Sequence, residues 1–267
     1  MRKVIEITFV LLSITICSQK KFEVKFEADY KLRYKLTNTE NSYAYETTFA
    51  LLIGNSSSYF KSMNKYMADS LILARQMKNT GNMEKDLSNY YNRYYTDFPE
   101  NIGTTSKTIY FTTEIEGKAF EYEESNDINW KVKNQFKNVL GFECQKAETT
   151  KYGRVWTAWF TTEIPFQYGP YKFNGLPGLI TELYDSKKDY HYTLYVFRKR
   201  KYTCNSANIY RSAKKVQKEK IYNYQRNKYE NIDRLSKYIQ DKSQFEELKR
   251  SAESMAKKYN PIELSIE

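Results

Sequence analysis

FEVKFEADYKLRYKL, residues 22–36, decides what kind of fold this chain can make. Phe22, Val24, Phe26, Ala28, Tyr30, Leu32, Tyr34 and Leu36 alternate with Glu23, Lys25, Glu27, Asp29, Lys31, Arg33 and Lys35. Successive strand side chains point to opposite faces, so this pattern is a strand with one buried and one wet face. At about 3.3 Å per residue it would run roughly 50 Å, and it must coil or bend to do so. A curved antiparallel sheet is therefore expected rather than a flat one.

Working outward, 43–53 reads as a second strand, Gly54-Asn55 as a turn and 57–60 as the return. The period then changes. Met63, Tyr66, Met67, Ser70, Leu71, Ala74 and Met77 follow helical spacing, and Met83 to Tyr94 suggests a second helix stopped near Pro99. Such a methionine stripe fits core packing or an adaptable binding surface. Strands resume at 107–113, 119–123, 130–132, 141–150, 154–161, 179–185 and 190–198, with turns at Gly117, Gly153 and 186–189. Beyond Ser206 the chain reads as helical, with stripes at Ile232, Leu235 and Ile239 and at Phe245 to Tyr259. Ser243 with Glu246 forms a capping box for the last helix.

Before the first strand, Arg2 and Lys3 precede a short apolar run, Ile7 to Ile16, and small residues near Cys17 and Ser18. This reads as a signal peptide over 1–18, with ordinary cleavage near Ser18 or lipidation at Cys17 as the two outcomes. Residues 19–267 then form one domain in an oxidising compartment. There the even pair Cys144 and Cys204 is expected to form a disulfide, with two separate buried thiols as the alternative.

The 267 residues carry a formal net charge of +11 and a single histidine, His191. One imidazole excludes multi-histidine metal sites, and any Ser-His or Cys-His device must use that ring. No metal or cofactor is expected. The segment from Arg198 to Tyr259 holds 18 basic and 7 acidic residues, so the excess positive charge is concentrated in a basic tail, 206–259 with its approach. Two readings stay open, a solvated helical face or weak attraction to an anionic envelope surface; nucleic acid is not expected outside the cytosol.

Residues 165–178 contain three of the five prolines and three of the nine glycines. They are interleaved with Phe166, Tyr168, Tyr171, Phe173 and Leu176, so the segment is an ordered, packed crossing and no flexible linker. Gly175 and Gly178 are expected at positive φ. Gly175 to Ile180 reads GLPGLI, and here the sequence resembles the GLPGLI family of secreted Gram-negative proteins. The resemblance is carried by Gly169, Pro170, Gly175, Leu176, Pro177, Gly178, Leu179 and Ile180, by GFECQKA at 141–147, GRVWTAWFTTEIPF at 153–166 and YNPIEL at 259–264. It implies an exported envelope protein. The family supplies no reaction, cofactor or catalytic residue, and the frequent neighbourhood of its genes with outer-membrane TonB-dependent receptors implies a partner by association only.

Trp156, Trp159, Tyr168 and Tyr171 are the candidate ligand-binding residues, because alternation sends Trp156 and Trp159 to opposite faces and one face lacks an evident cover. Glu163, Glu182 and Asp185 are the carboxylates from which a hydrolase would draw an acid/base pair. The reading is an α+β domain, a strongly curved, half-barrel-like antiparallel sheet packed with helices and ending in a helical segment. Its expected role is non-enzymatic binding, with a carboxylate-dependent periplasmic hydrolase as the alternative.

Overall fold

The computed structural model describes residues 22–39, 44–73, 93–115, 117–205, 213–227, 229, 232, 239 and 241–266. Their elements are β1 (Phe22–Tyr34), β2 (Tyr45–Ile53), β3 (Ser57–Ser62), α1 (Met63–Leu73), β4 (Asn101–Thr105), β5 (Thr108–Ile115) and β6 (Lys118–Ser125). The chain continues through β7 (Lys131–Val139), β8 (Phe142–Lys151), β9 (Arg154–Thr161), β10 (Leu179–Asp185), β11 (Tyr190–Cys204), β12 (Lys214–Lys215), α2 (Lys218–Arg226) and α3 (Lys242–Lys258). The signal-peptide segment, Cys17, most of the expected second helix and Leu235 of the Ile232, Leu235 and Ile239 stripe lie outside the described residues.

All twelve strands belong to one sheet, ordered β12-β6-β5-β4-β3-β2-β1-β11-β10-β9-β8-β7. Two antiparallel meanders, β1 to β6 and β7 to β11, are stitched together where the first strand pairs with β11. Phe22 faces Cys204 at one end of that seam, and Tyr34 faces Tyr190 at the other. Only 126–130 connect β6 to β7, the far strands of the two meanders. Ten strand spacings would separate those strands by roughly 48 Å on a flat sheet. A five-residue link reaches only about 20 Å. The sheet therefore rolls until its edges approach, and it stays open because β6 and β7 do not pair.

The expected α+β half-barrel packed with helices is not what forms. The fold is β-rich, one open mixed sheet in which β12 pairs parallel with β6, and its described helices are three short ones of 11, 9 and 17 residues. The inner faces of the two meanders pack on each other and on the crossing 162–178, so the sheet supplies its own core. Among the buried residues of that main core only Ile221 lies on a helix. Within the tail, Lys218–Arg226 and Lys242–Lys258 are helical as expected, and the two residues of β12 interrupt the helical reading at Lys214–Lys215.

Three local readings also change. Phe22 and Val24 pack with Ala50, Leu52 and Cys204 in a second cluster, while Ala28 and Tyr30 face the main core. The β1–β11 register shifts between Val24 and Phe26, where the sidedness changes. The last helix is capped by Asp241, whose Oδ1 accepts from the Ser243 and Gln244 amides at 2.8 and 3.3 Å; Ser243 already lies inside the helix. Cys144 and Cys204 are not bonded to each other. Cys144 sits on β8, three strands from β11, a separation of roughly 14 Å against the ~4.4–6.8 Å that a disulfide tolerates between Cα atoms. Its Sγ lies 3.2 Å from Thr181 Oγ1.

The inner crossing explains its glycines in two different ways. Gly175 has φ +86° and open space where a Cβ would sit. Gly178 has no positive φ. A Cβ there would lie 2.0 Å from the Thr161 carbonyl oxygen, so the requirement is close passage past β9. Around them, Leu179 N donates to Ile164 O, Ile180 N to Tyr168 O, and Tyr30 Oη to Ile180 O at 2.6 Å.

Residues 259–264 run back over the sheet as a strap. Buried Arg154 holds it, donating to Asn260 Oδ1 at 2.6 Å, Pro261 O at 2.7 Å and Ile262 O at 3.0 Å while pairing with Asp185 at 3.1 Å. Tyr190 Oη adds a bond to Asn260 O at 2.6 Å.

On the outer face of β1, Glu27 and Asp29 are both nearly buried beneath Arg198, which bonds both carboxylates. Burial and the neighbouring Glu27 push the Asp29 carboxyl up to about 6, against the opposing pull of Arg198. A carboxyl raised in the folded state costs stability when ionised, and the cost disappears as pH falls from about 6 toward its ordinary 3.8. Asp29→Asn should therefore stabilise the protein by about 1–3 kcal/mol at pH 7 and by little at pH 4. Urea unfolding at both pH values checks this, and an equal difference at the two would contradict it.

Candidate functional site

The inner crossing carries a lysine into the core. Lys172 follows Pro170 and Tyr171, and its ammonium is fully buried. Nζ donates to Glu263 Oε1 at 2.5 Å and to Tyr122 Oη at 2.6 Å, and it lies 2.8 Å from Glu124 Oε1. Four rings surround it, with centroids 4.7 Å (Phe111), 5.0 Å (Tyr152), 5.1 Å (Tyr122) and 5.4 Å (Tyr171) away. A buried ammonium is tolerated only when it is paired and its protons are used, and here each has an acceptor. Lys218 of α2 closes the set, 2.6 Å from Glu124 Oε2 and 3.8 Å from Glu263 Oε2.

Burial alone would lower the Lys172 pKa. Glu263, the Tyr152 oxygen and Glu124 outweigh it and hold the amine above its ordinary range. Burial likewise opposes ionisation of Glu124, and Lys172 with Lys218 overcomes it, keeping that carboxyl below its usual value. Two of the rings are held by backbone that side chains rarely adopt. Tyr152 and Tyr171 both have φ +56°. Left-handed backbone at a bulky residue costs energy and persists only where the surroundings fix it. Both strained tyrosines are walls of the lysine cage.

Beside the cage lies a cavity of about 330 Å³. Tyr171 and Glu263 belong to both and form the shared wall. Opposite them, α2 presents Tyr222, Tyr224, Gln225 and Arg226. The strap adds Tyr259 and Ile262, the end of β5 adds Thr113 to Ile115, and 95–100 closes a further side with Phe98 and Pro99. Asp97 on that side accepts hydroxyl bonds from Tyr34 and Tyr95 at 2.9 Å each. Glu100 accepts from Gln225 Nε2 at 3.0 Å.

The four aromatic candidates are not brought together. Trp156 is fully buried against Phe173 with ring centroids 4.7 Å apart, and its Nε1 donates to Lys151 O. Trp159 lies on the outer face with Lys137 Nζ 4.5 Å from its ring centroid. Tyr168 is half-buried at the core margin, and Tyr171 alone lines the cavity. The three carboxylates also separate. Glu163 accepts from the Glu143 amide, Asp185 pairs with Arg154, and Glu182 bonds both Lys137 and His191, the latter at 2.7 Å. Burial works against ionised Glu182, but His191 and Lys137 hold its carboxyl below the ordinary range.

Sequence reasoning missed Lys172, Glu124, Glu263, Tyr122 and Tyr152. Two signals were present. A lysine in PYKFNG sits in a segment too ordered and aromatic for it to reach water by flexing. In the 151–154 turn, KYGR, tyrosine occupies a position where such turns prefer asparagine or aspartate.

Among solved structures, the chain is similar to PNGF-II in two crystal forms. In the C2 form the TM-score is 0.53 at 10% identity, covering 76% of this chain and 32% of that one. In the P21 form it is 0.51 at 11% identity, covering 76% and 33%. The chain thus spans about a third of the length of those proteins, and the likeness is one of fold. No curated protein matches. Residues 73–182, from the end of α1 through the GLPGLI hexapeptide into β10, match the family described as "Protein of unknown function (Porph_ging)", and the match carries that description, not the GLPGLI name.

Proposed function

We propose that the protein is an exported, non-enzymatic binding protein whose ligand occupies the cavity between α2, the 259–264 strap and the 95–100 segment. The observation that carries this reading is the construction of the wall. Tyr171 is held at φ +56° and Glu263 is locked onto a buried lysine, so the surface is fixed before any ligand arrives. About 330 Å³ lies at the lower end of the ~300–1,000 Å³ usual for small-ligand pockets, which favours a small molecule or one side chain of a larger partner. The hydrolase alternative draws no support from Glu163, Glu182 and Asp185, which lie in separate ion-pair and hydrogen-bond networks. Glu27 and Asp29 are adjacent, but Arg198 bonds both and neither lines the cavity.

Export, and a partner such as an outer-membrane TonB-dependent receptor or an anionic envelope surface, belong to this proposal through the sequence resemblance. Affinity capture from envelope extracts with the protein lacking residues 1–18 tests both. A thermal-shift screen against a panel of small metabolites tests the cavity. Compounds that bind there should raise the melting temperature of the native protein by several degrees and leave Ile115→Trp, which fills one side, unmoved. Equal shifts in both would place binding elsewhere.

A further inference from the structure

The sheet has two ends, and they finish differently. β6 is covered at Phe120 and Glu121 by β12, which pairs with it in parallel. β7, at the other end, pairs with β8, and among the described residues nothing pairs with its outer edge. Nine residues at about 3.3 Å each make an open edge of roughly 30 Å. Val139 and Phe142 flank a two-residue turn, so antiparallel alternation directs the backbone N–H and C=O groups of Phe136 and Asn138 away from β8. Val132 lies opposite Ala147 and Phe136 opposite Gln145, which in turn face Ala158 and Phe160 of the core, so both belong to the inner side. With no strand beyond them they stay about half-exposed, as does Leu140 at the turn. Leu140 is also held at φ +52° beside Gly141 at +88°, where asparagine or glycine is usual.

The outer side of the same strand is basic. Lys131, Lys133 and Lys137 lie there with Lys146 of β8, and β7 itself contains no acidic residue. Glu148 is shared by Lys133 and Lys146, Glu182 is shared by Lys137 and His191, and Lys131 has no ion-pair partner among the described residues. Four lysines thus stand against two glutamates, while Glu143, opposite Asn138, takes the inner side.

We propose that β7 is a docking edge for an acidic, extended strand of a partner protein, one that alternates carboxylate and apolar side chains. Such a strand gains main-chain hydrogen bonds along the open edge, lays its apolar residues against Val132 and Phe136, and sets its carboxylates beside the lysines. Lysines on an edge strand ordinarily prevent pairing, and here they disfavour a second copy of this chain, because β7 set against β7 brings lysines together with no carboxylate on either strand. The charge that rejects a copy selects an acidic strand. β7 does not line the cavity, so this inference and the cavity reading stand or fall separately.

Fluorescence anisotropy with the full chain should use a labelled heptapeptide alternating glutamate and valine. Its two controls are the same peptide N-methylated at every residue, which keeps the charge but cannot donate to the edge, and the counterpart with lysine for glutamate. The acidic peptide is expected to bind at least about tenfold tighter than either control. Lys131→Glu and Phe136→Asn should each weaken it several-fold, and an unchanged melting temperature shows that each variant folds. Hydrogen exchange should slow at the Phe136 and Asn138 amides when the acidic peptide is bound. Equal binding of the N-methylated peptide would reduce the effect to adhesion by charge and overturn the inference. Equal binding of the lysine peptide, failure of all three peptides to bind, or protection confined to other strands would also overturn it. So would a concentration-dependent dimer of the free protein with protection on β7, which would assign the edge to a second copy.

Discussion

Gly178→Ala is expected to destabilise the protein by about 3–5 kcal/mol, because among the described glycines an added methyl group meets its shortest contact here. The added carbon would lie 2.0 Å from the Thr161 oxygen, 2.6 Å from its carbonyl carbon and 3.0 Å from Thr162 Cα. These are backbone atoms at the end of β9, which cannot rotate aside as a side chain does. Relief needs the crossing to lift from the sheet, and lifting breaks the Leu179 amide bond to Ile164 and disturbs Leu176 and Ile180 in the core. Gly175→Ala is the internal control. It meets no atom within 4 Å and bears only the positive-φ penalty, about 1 kcal/mol. Equilibrium unfolding of both variants checks the contrast, and equal losses would show that conformation, not contact, fixes both glycines.

Lys172→Met should cost about 3–5 kcal/mol at neutral pH, because it leaves Glu124 and Glu263 buried with Lys218 as their remaining cation. The pH dependence identifies the mechanism. In the native protein the Glu124 carboxyl is lowered, so its contribution is present above its ordinary value of 4.5 and is lost as pH falls through the folded value. The Lys172 amine is raised, so its contribution is present below its ordinary 10.5 and is lost only as pH rises through the higher folded value. Without the lysine, burial of Glu124 is opposed by Lys218 alone, so its carboxyl moves toward protonation in the folded state and acid relieves the defect. The difference between native and variant stability should therefore narrow from pH 7 to pH 4. A constant difference would mean that the lysine acts through packing alone. Against a typical total of about 5–15 kcal/mol, either substitution uses a large share of the margin.

These two positions also show where the fold was legible. β9 and β10 form with the bounds the sequence predicts: β9 alternates between buried and more open positions, and β10 is an apolar run, buried over its first three residues, held between the crossing and the 186–189 turn. β7, with a sequence of lysines and amides exposed along most of its length, lies at the sheet edge and offers no buried stripe, so only its first residues were noticed. β4 is short and contains Gly103, and β12 pairs over two residues; neither length nor pattern marks them. The helices at Met63–Leu73, Lys218–Arg226 and Lys242–Lys258 were legible, but their place was not: of the buried main core only Ile221 lies on a described helix, because the sheet rolls on itself and lines its own core.

The site was less legible for a different reason. Alternation reports which face a residue takes, not which distant segment meets it. Lys172 and Glu263 are 91 positions apart, and Lys172 and Tyr122 are 50 apart. The aromatic quartet drew attention through density in sequence, yet three of its members serve the core or the outer face. Tyr171 was legible as part of the crossing. The partners that fix it became visible only with the strap in place.

Lys172 locks the inner crossing and the C-terminal strap into a single wall through its bond to Glu263. Hydrogen-exchange mass spectrometry on the native protein and on Lys172→Met, well below the variant's melting temperature, tests it directly, with Glu263→Gln as the milder companion. Exchange in 259–266 and in α2 should accelerate in both variants while the central pairing of β1 with β11 keeps its protection. Unchanged protection in 259–266, or acceleration spread evenly over the whole sheet, would contradict it.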